Sequence, residues 1–429
     1  MNKKMTMGAM AVALLAAVGC SETETEIITG PSGSGDTPVA LGISTSLQAD
    51  ETTKAVVSGQ AITYDVNNYT NDNIAPGLGI LVTNSGANGW YTPEGENTPR
   101  YHVWFMGDHE GKNWKSISNK GNSFSAAAGA PYYLSTAVGK VYAYYPYNST
   151  VTLPTSPFTE QNLKISVPLL TTGTIDASTN NAMKYWSGTW SENNNKTLKL
   201  AASTENDYLY FAGTAGRNIN NGQAGGSNPP ASNPNQDATN PGYNINLDMK
   251  HALAMVSFRV YDGGSLSASD VNFTKFVIKN KLGGQNPFKT AGGSMSLVNG
   301  AISDQSGTGS IERTINNYIL MRQIENGQQN EYQFIHDPNQ YSLVDGVTVS
   351  RSVSAMVYPT TFAANDIEVV ITLQEGNENP VNYTVTLPAN NWEAGKNIIY
   401  TFSAGRNKLT LTGVSVVDWV DAIQPVIPL

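Results

Sequence analysis

Apolar residues in this chain recur at every second position in short runs broken by Gly, Asn, Pro and Ser. That rhythm restricts the fold to β-structure more firmly than any single motif does. The plainest case is Val39 to Lys54, VALGISTSLQADETTK, where Val39, Leu41, Ile43, Thr45 and Leu47 fall on one side with small residues between them. A period of two sets one face of an extended chain against a core and the other toward solvent. The second half of the stretch turns polar and ends at Lys54-Ala55, a basic residue in an open, Thr-rich segment. A strand at one end of a domain, held by a cuttable loop, can leave without breaking a helix or a crossover.

Ala61–Val66 alternates again, Tyr101–Met106 is a fuller apolar run, Val141–Tyr147 is rich in aromatics, and Leu198–Leu200 and Asp207–Phe211 are two more strand candidates, with turn-forming clusters between them. No segment of useful length in this region keeps a helical period. Residues 213–243 are dominated by Asn, Gly, Pro and Ser and carry too little apolar surface to offset their ordering entropy. They read as a long exposed loop and set a domain boundary. Strand signals resume at Ala252–Tyr261, Phe273–Lys279 and Val353–Tyr358. A hairpin follows from Ile367–Leu373 to Val381–Leu387, and then come Asn397–Ser403 and Lys408–Val417, where Gly413 is placed to make a bulge. Short strands at this spacing predict two β-sandwiches in tandem, residues 39–243 and 244–429. The last ten residues, Val420–Leu429, are apolar but carry Pro425 and Pro428. Such an end needs something to bury against, its own domain or another molecule.

Charged residues are only 14% of the 429, and 21 tyrosines accompany a formal net charge of -9 with the cations scattered. Nucleic acid, which needs a basic stripe, is an unsuitable partner. A single cysteine, Cys20, excludes an intrachain disulfide and a cysteine-based metal site. Lys3 and Lys4 precede an apolar run, Met7–Val18, too short to span a bilayer, and Ala17-Val18-Gly19-Cys20 follows. Small residues before a cysteine resemble a lipobox. Residues 1–19 are therefore expected to be a lipoprotein signal peptide cleaved between Gly19 and Cys20, with Cys20 lipidated; incidental placement of Cys20 in an ordinary secretory signal is the alternative. Glu22, Glu24 and Glu26 and then the Gly/Ser-rich GPSGSGDTP make residues 20–38 an acidic, flexible tether.

The sequence offers no catalytic constellation. Its four histidines, His102, His109, His251 and His336, never stand at a zinc-binding spacing, and no HExxH, GxSxG, Walker or GxGxxG pattern occurs in context. The carboxylates lack a diagnostic spacing, and Trp104 and Trp392 sit where core and corner residues would. No enzyme and no cofactor are expected.

In order along the chain, the lipobox at Cys20, VALGIST leading to TTKA, AYYPY at Ala143–Tyr147, HALAMVSFRV from His251, NWEAGKNIIYTF at Asn391–Phe402 and KLTLTGVSVVDW at Lys408–Trp419 resemble the fimbrillins, the type V pilins of lipoprotein origin. The resemblance implies two transthyretin-like β-sandwiches and an outer-membrane lipoprotein precursor, held by the lipid (palmitate) on Cys20. It also implies a trypsin-like protease that cuts the loop after the first strand, here between Lys54 and Ala55; Lys54 stands where arginine is usual. The strand 39–54 would then leave, and other fimbrillin subunits would polymerise head to tail by filling the vacated groove. The candidate donor is the tail 420–429, with Ala422, Ile423, Val426, Ile427 and Leu429 as pocket-fillers.

The physics of that exchange is coherent on its own. A groove for about five aliphatic side chains, at roughly 1.5–3 kcal/mol each, is worth on the order of 10 kcal/mol gross. Ordering a donor strand costs about 1–2 kcal/mol per residue, which brings donor and resident near balance. The leading expectation is a structural subunit of a fimbrium supporting adhesion. A tip or accessory adhesin contacting host or bacterial ligands and a non-polymerising, glycan-binding surface lipoprotein are the alternatives.

Overall fold

The alternating runs become strands wherever the chain is described. The computed structural model describes residues 39–47, 63–64, 78–85, 89–108, 114–117, 131–176, 205–213, 217–221, 242–266, 271–316, 318, 320–326, 331–335, 343–344, 347–348 and 353–418. Among them the one helical element is a single 3-10 turn, Glu160–Asn162, and the fold is all-β. In chain order the principal strands are β1 (Gly42–Leu47), β2 (Leu78–Asn84), β3 (His102–Asp108), β4 (Gly139–Tyr145), β5 (Leu209–Phe211), β6 (Asn244–His251) and β7 (Ala254–Asp262). The series continues with β8 (Val271–Asn280), β9 (Ser310–Asn316), β10 (Ile367–Glu375), β11 (Val381–Thr386), β12 (Lys396–Gly405) and β13 (Lys408–Asp418).

The first sheet runs β1-β6-β5-β4-β2-β3, with Thr63–Tyr64 beyond β3. Its central strands read as nearly continuous apolar runs because both faces are covered. In β2, Ile80 and Val82 enter one core while Leu81 enters another. In β4, Val141, Ala143 and Tyr145 face the first core and Tyr142 and Tyr144 the second. Pro146, which cannot continue a central ladder, follows the last residue of β4.

Two more sheets form a sandwich. One joins Thr172–Asp176, β9, β8, β10 and β11; the other joins Glu331–Ile335, Met321–Asn326, β7, β12 and β13, with Val353–Val357 also on β7. Phe258 and Val260 of β7 and Tyr400 and Phe402 of β12 share one core with Phe276 and Ile278 of β8 and Val369 and Ile371 of β10. The hairpin read from the sequence is the antiparallel pair β10–β11. The bulge is there too: Gly413 pairs with Thr401 and Leu411 with Phe402, leaving Thr412 unopposed.

Connectivity departs from a simple split at residue 243. β6, just past that point, pairs inside the first sheet. Conversely, Lys164–Ser166 pairs with Ser294–Ser296, and Thr172–Asp176 runs parallel to β9. A hydrophobic layer of Leu81, Tyr142, Tyr144 and Tyr208 against Leu253, Met255, Met356 and Tyr358 lies between the two halves of the sequence.

The stretch 213–243 is not wholly the exposed loop its composition predicts. Arg217, Ile219 and Asn220 are buried, and Asn218–Ile219 pairs with Gly139 and Lys140 of β4. The reason is local. Arg217 Nη2 donates to the carbonyls of Phe211 (3.1 Å) and Val298 (2.9 Å) and the guanidinium lies 4.8 Å from the centre of the Tyr142 ring, which offsets part of the cost of its burial; its Nε has no hydrogen-bond partner among the described residues.

Candidate functional site

The candidate site is the end of the first sheet occupied by β1. β1 runs parallel to β6, with Ile43 opposite Ile245 and Leu47 opposite Met249. Its alternation does what the pattern requires: Leu41 and Ile43 are 6% and 8% exposed. They belong to one core with Ile80, Val82, Tyr132, Leu134, Ile245 and Leu247. Val39 is half-buried, and Val39–Ala40 pairs antiparallel with Tyr133–Leu134. The Leu41 amide donates to the Tyr132 carbonyl at 2.9 Å and the Gly42 amide to the Tyr243 carbonyl at 2.8 Å. Backbone bonds and two fully seated aliphatic side chains thus fix the strand in position and register.

β6 supplies the wall. Ile245, Leu247 and Met249 point into the core, while Asn244, Asn246, Asp248 and Lys250 line the opposite face. Among the described residues β1 is the last strand on this side of the sheet. Whatever occupies its place meets an apolar trough on one face and a polar row on the other.

At its far end β6 is anchored to the rest of the molecule. His251 contacts Asp207 through Nδ1 at 2.9 Å, both side chains being about 5% exposed or less. Two residues before Asp207, Glu205 forms a buried ion pair with Arg313 on β9 and accepts the Met356 amide at 3.2 Å. Arg313 also donates to the carbonyls of Leu170 and Glu312 at 2.8 Å each. The two terminal nitrogens of this buried guanidinium are thus paired with a carboxylate and two carbonyls, while its Nε has no hydrogen-bond partner among the described residues. The sequence reading named Asp207 and His251 but paired neither; partners 44 positions apart leave no signature at that distance.

The tyrosine-rich run Val141–Tyr145 proves to be core, with Pro146 and Tyr147 beyond it half-buried. Tyr142 and Tyr144 are fully buried, and burial raises both phenols far above their ordinary range. The Tyr144 hydroxyl shares a 2.7 Å hydrogen bond with His102 Nε2, and burial depresses the His102 imidazole to about 4. His102 is thus a neutral structural histidine at ordinary pH. Trp392 is likewise core, donating to the Tyr400 hydroxyl at 2.9 Å. Among the described residues no three His, Cys, Asp or Glu side chains converge as a metal ion would need.

Several residues singled out from the sequence lie outside the described residues: Gly19 and Cys20, Lys54 and Ala55, and the tail residues Ala422, Ile423, Val426, Ile427 and Leu429. The side chains of Leu47 and Trp104, and all of His109 and His336, do so as well.

A family model described as fimbrillin-like matches residues 230–419, from within the polar loop to just past β13. That stretch is fimbrillin-like. It contains β6, the wall of the candidate site, whereas β1 lies upstream of it. No curated protein matches the chain. Among solved structures, a candidate cell adhesion protein from Bacteroides ovatus is similar at 13% identity and a TM-score of 0.46, over 90% of this chain and 99% of that one. A fimbrial protein from Bacteroides vulgatus is similar at 13% identity and a TM-score of 0.46, over 89% of this chain and 100% of that one. A candidate cell adhesion protein from Bacteroides uniformis is similar at 12% identity and a TM-score of 0.43, over 90% and 100%.

Proposed function

We propose that this chain is a structural subunit of a cell-surface fimbrium, exported as a lipoprotein precursor and polymerised by strand exchange. The observation that carries the reading is β1 itself: among the described residues it is an end strand, and Leu41 and Ile43 are seated in the core of the first sheet. The fimbrillin-like stretch supports a fimbrial role rather than a catalytic one.

In this reading the lipid on Cys20 holds the precursor at the outer membrane, and a trypsin-like protease cuts between Lys54 and Ala55. While tethered, β1 has a high effective concentration at its own groove and excludes competitors; once cut, it can be replaced. A neighbouring subunit then adds a strand by main-chain pairing, with alternate side chains entering the trough. The apolar tail 420–429 is the donor the sequence offers, and the contact it makes is head to tail. Such a contact does not close, so it propagates a filament. The two-sandwich division of residues 39–429 belongs to the same reading.

Limited trypsin treatment of the purified chain, followed by N-terminal sequencing and a non-denaturing gel, tests this. The expected outcome is a new N-terminus at Ala55 with a ladder of oligomers. A chain nicked at Lys54 that stays monomeric overturns strand exchange.

A further inference from the structure

Among the described residues three arginines are buried: Arg217, Arg259 and Arg313. Two of them are held through their terminal nitrogens, Arg217 by two carbonyls and Arg313 by the Glu205 carboxylate and two carbonyls. Arg259, at 4% exposure, makes no hydrogen bond and no ion pair among the described residues, and its Nε is sealed from solvent without a partner. Burial lowers its guanidinium to about 10, so at neutral pH it is still a cation. The surrounding chain explains why no acceptor reaches it. Val256, Phe258 and Val260 of β7 enter the sandwich core, which turns Ser257 and Arg259 to the other face of the sheet. Ser257 Oγ donates to Asn397 Oδ1 and pairs with Ser354 Oγ, both at 2.7 Å, so that cluster is closed on itself. Across the ladder Arg259 stands opposite Thr401 of β12, whose carbonyl accepts the Thr412 hydroxyl at 3.1 Å. On its other side β7 pairs with Val353–Val357 as far as Phe258 and with Met321–Arg322 from Tyr261 onward, so the ladder is interrupted at Arg259 and Val260. The Tyr318 hydroxyl is committed there, accepting the Val260 amide at 3.3 Å and donating to the Val260 carbonyl at 3.2 Å.

A buried guanidinium with no acceptor is costly, and an anion that joins it recovers that cost. We propose that Arg259 is a carboxylate-binding site on the face of β7 turned away from the sandwich core. A planar fork carrying one positive charge matches a carboxylate in shape and in charge, whereas a phosphate dianion would keep one charge uncompensated. The carboxylate is supplied by a small organic acid in solution or by an acidic side chain of a second copy of this chain. The site lies on the second sandwich, away from the trough beside β6, and does not depend on strand exchange.

Thermal unfolding of the full, uncut chain in sodium acetate and in sodium chloride at equal ionic strength tests the site. In wild type, acetate is expected to raise the midpoint saturably, by about 1–3 °C at roughly 0.1 M relative to chloride. Arg259→Met is expected to abolish that difference. Arg259→Lys, which keeps the charge and the stem but loses the fork, should cut it to less than about half, and is the variant to read if Arg259→Met does not fold. Equal wild-type midpoints in the two salts, as a guanidinium already paired within the chain would give, overturn the proposal. So does an acetate effect that persists undiminished in the variants. Sedimentation velocity then names the source. A concentration-dependent dimer of wild type in chloride that both acetate and Arg259→Lys dissolve assigns the carboxylate to a second copy. A monomer, or a dimer indifferent to both, assigns it to a small acid.

Discussion

Leu41 and Ile43 each sit almost fully inside a core shared with β2, β4 and β6, so truncating either leaves a cavity that a paired strand cannot easily close. Leu41→Ala is expected to cost about 2–5 kcal/mol of stability, read from urea denaturation. At the other end of β6 the relevant residue is Arg313. Arg313→Met strands Glu205 without its cation in a site where both side chains are 2% exposed or less, and should cost about 3–5 kcal/mol. Adding Glu205→Gln should recover part of that loss, and a second variant no more stable than the first would contradict the pairing. His102 gives the pH dependence. Its folded value of about 4 lies below the unfolded value near 6.5, so the unfolded chain takes up the proton first. Above about 6.5 His102 contributes no slope, and between about 6.5 and 4 stability falls as pH falls. His102→Gln should flatten that part of the melting-temperature profile relative to wild type.

At the scale of elements, strands that bury one face were legible from period two, while β4 and β7, covered on both faces, showed as apolar or aromatic runs. β10 and β11, β12 and β13 appear within a residue or two of where period two places them, and the bulge falls beside Gly413. β2 escaped notice for the opposite reason: buried on both faces, LGILVTN has no alternation to see. β6 alternates strictly, with Ile245, Leu247 and Met249 inward, but follows directly on the Asn-rich stretch and reads as that loop's exit. The loop misled through composition. A polar segment is expected in solvent unless its buried groups find partners, and Arg217 finds two carbonyls through Nη2 and an aromatic face, enough to hold it inside.

At the scale of the whole molecule, the layer joining Tyr142, Tyr144 and Tyr208 to Leu253, Met356 and Tyr358 ties early and late parts of the chain together. A polar substitution there, Met356→Asp, is expected to lower the unfolding midpoint reported by tyrosines of both halves, measured by near-ultraviolet circular dichroism. A variant in which only one half's signal shifts would mean that the layer does not couple them. The sequence by itself determined the β class, the position of most strands, and the apolar face of the first strand, because burial writes itself into the spacing of the apolar residues. Tertiary structure alone decided which strands are neighbours: β6 beside β1, residues 172–176 beside β9, Glu205 against Arg313, and Asn244 against Gly42. Pairing across a sheet depends on the path of the backbone in space, and partners far apart in the chain share no local pattern that a linear reading could detect.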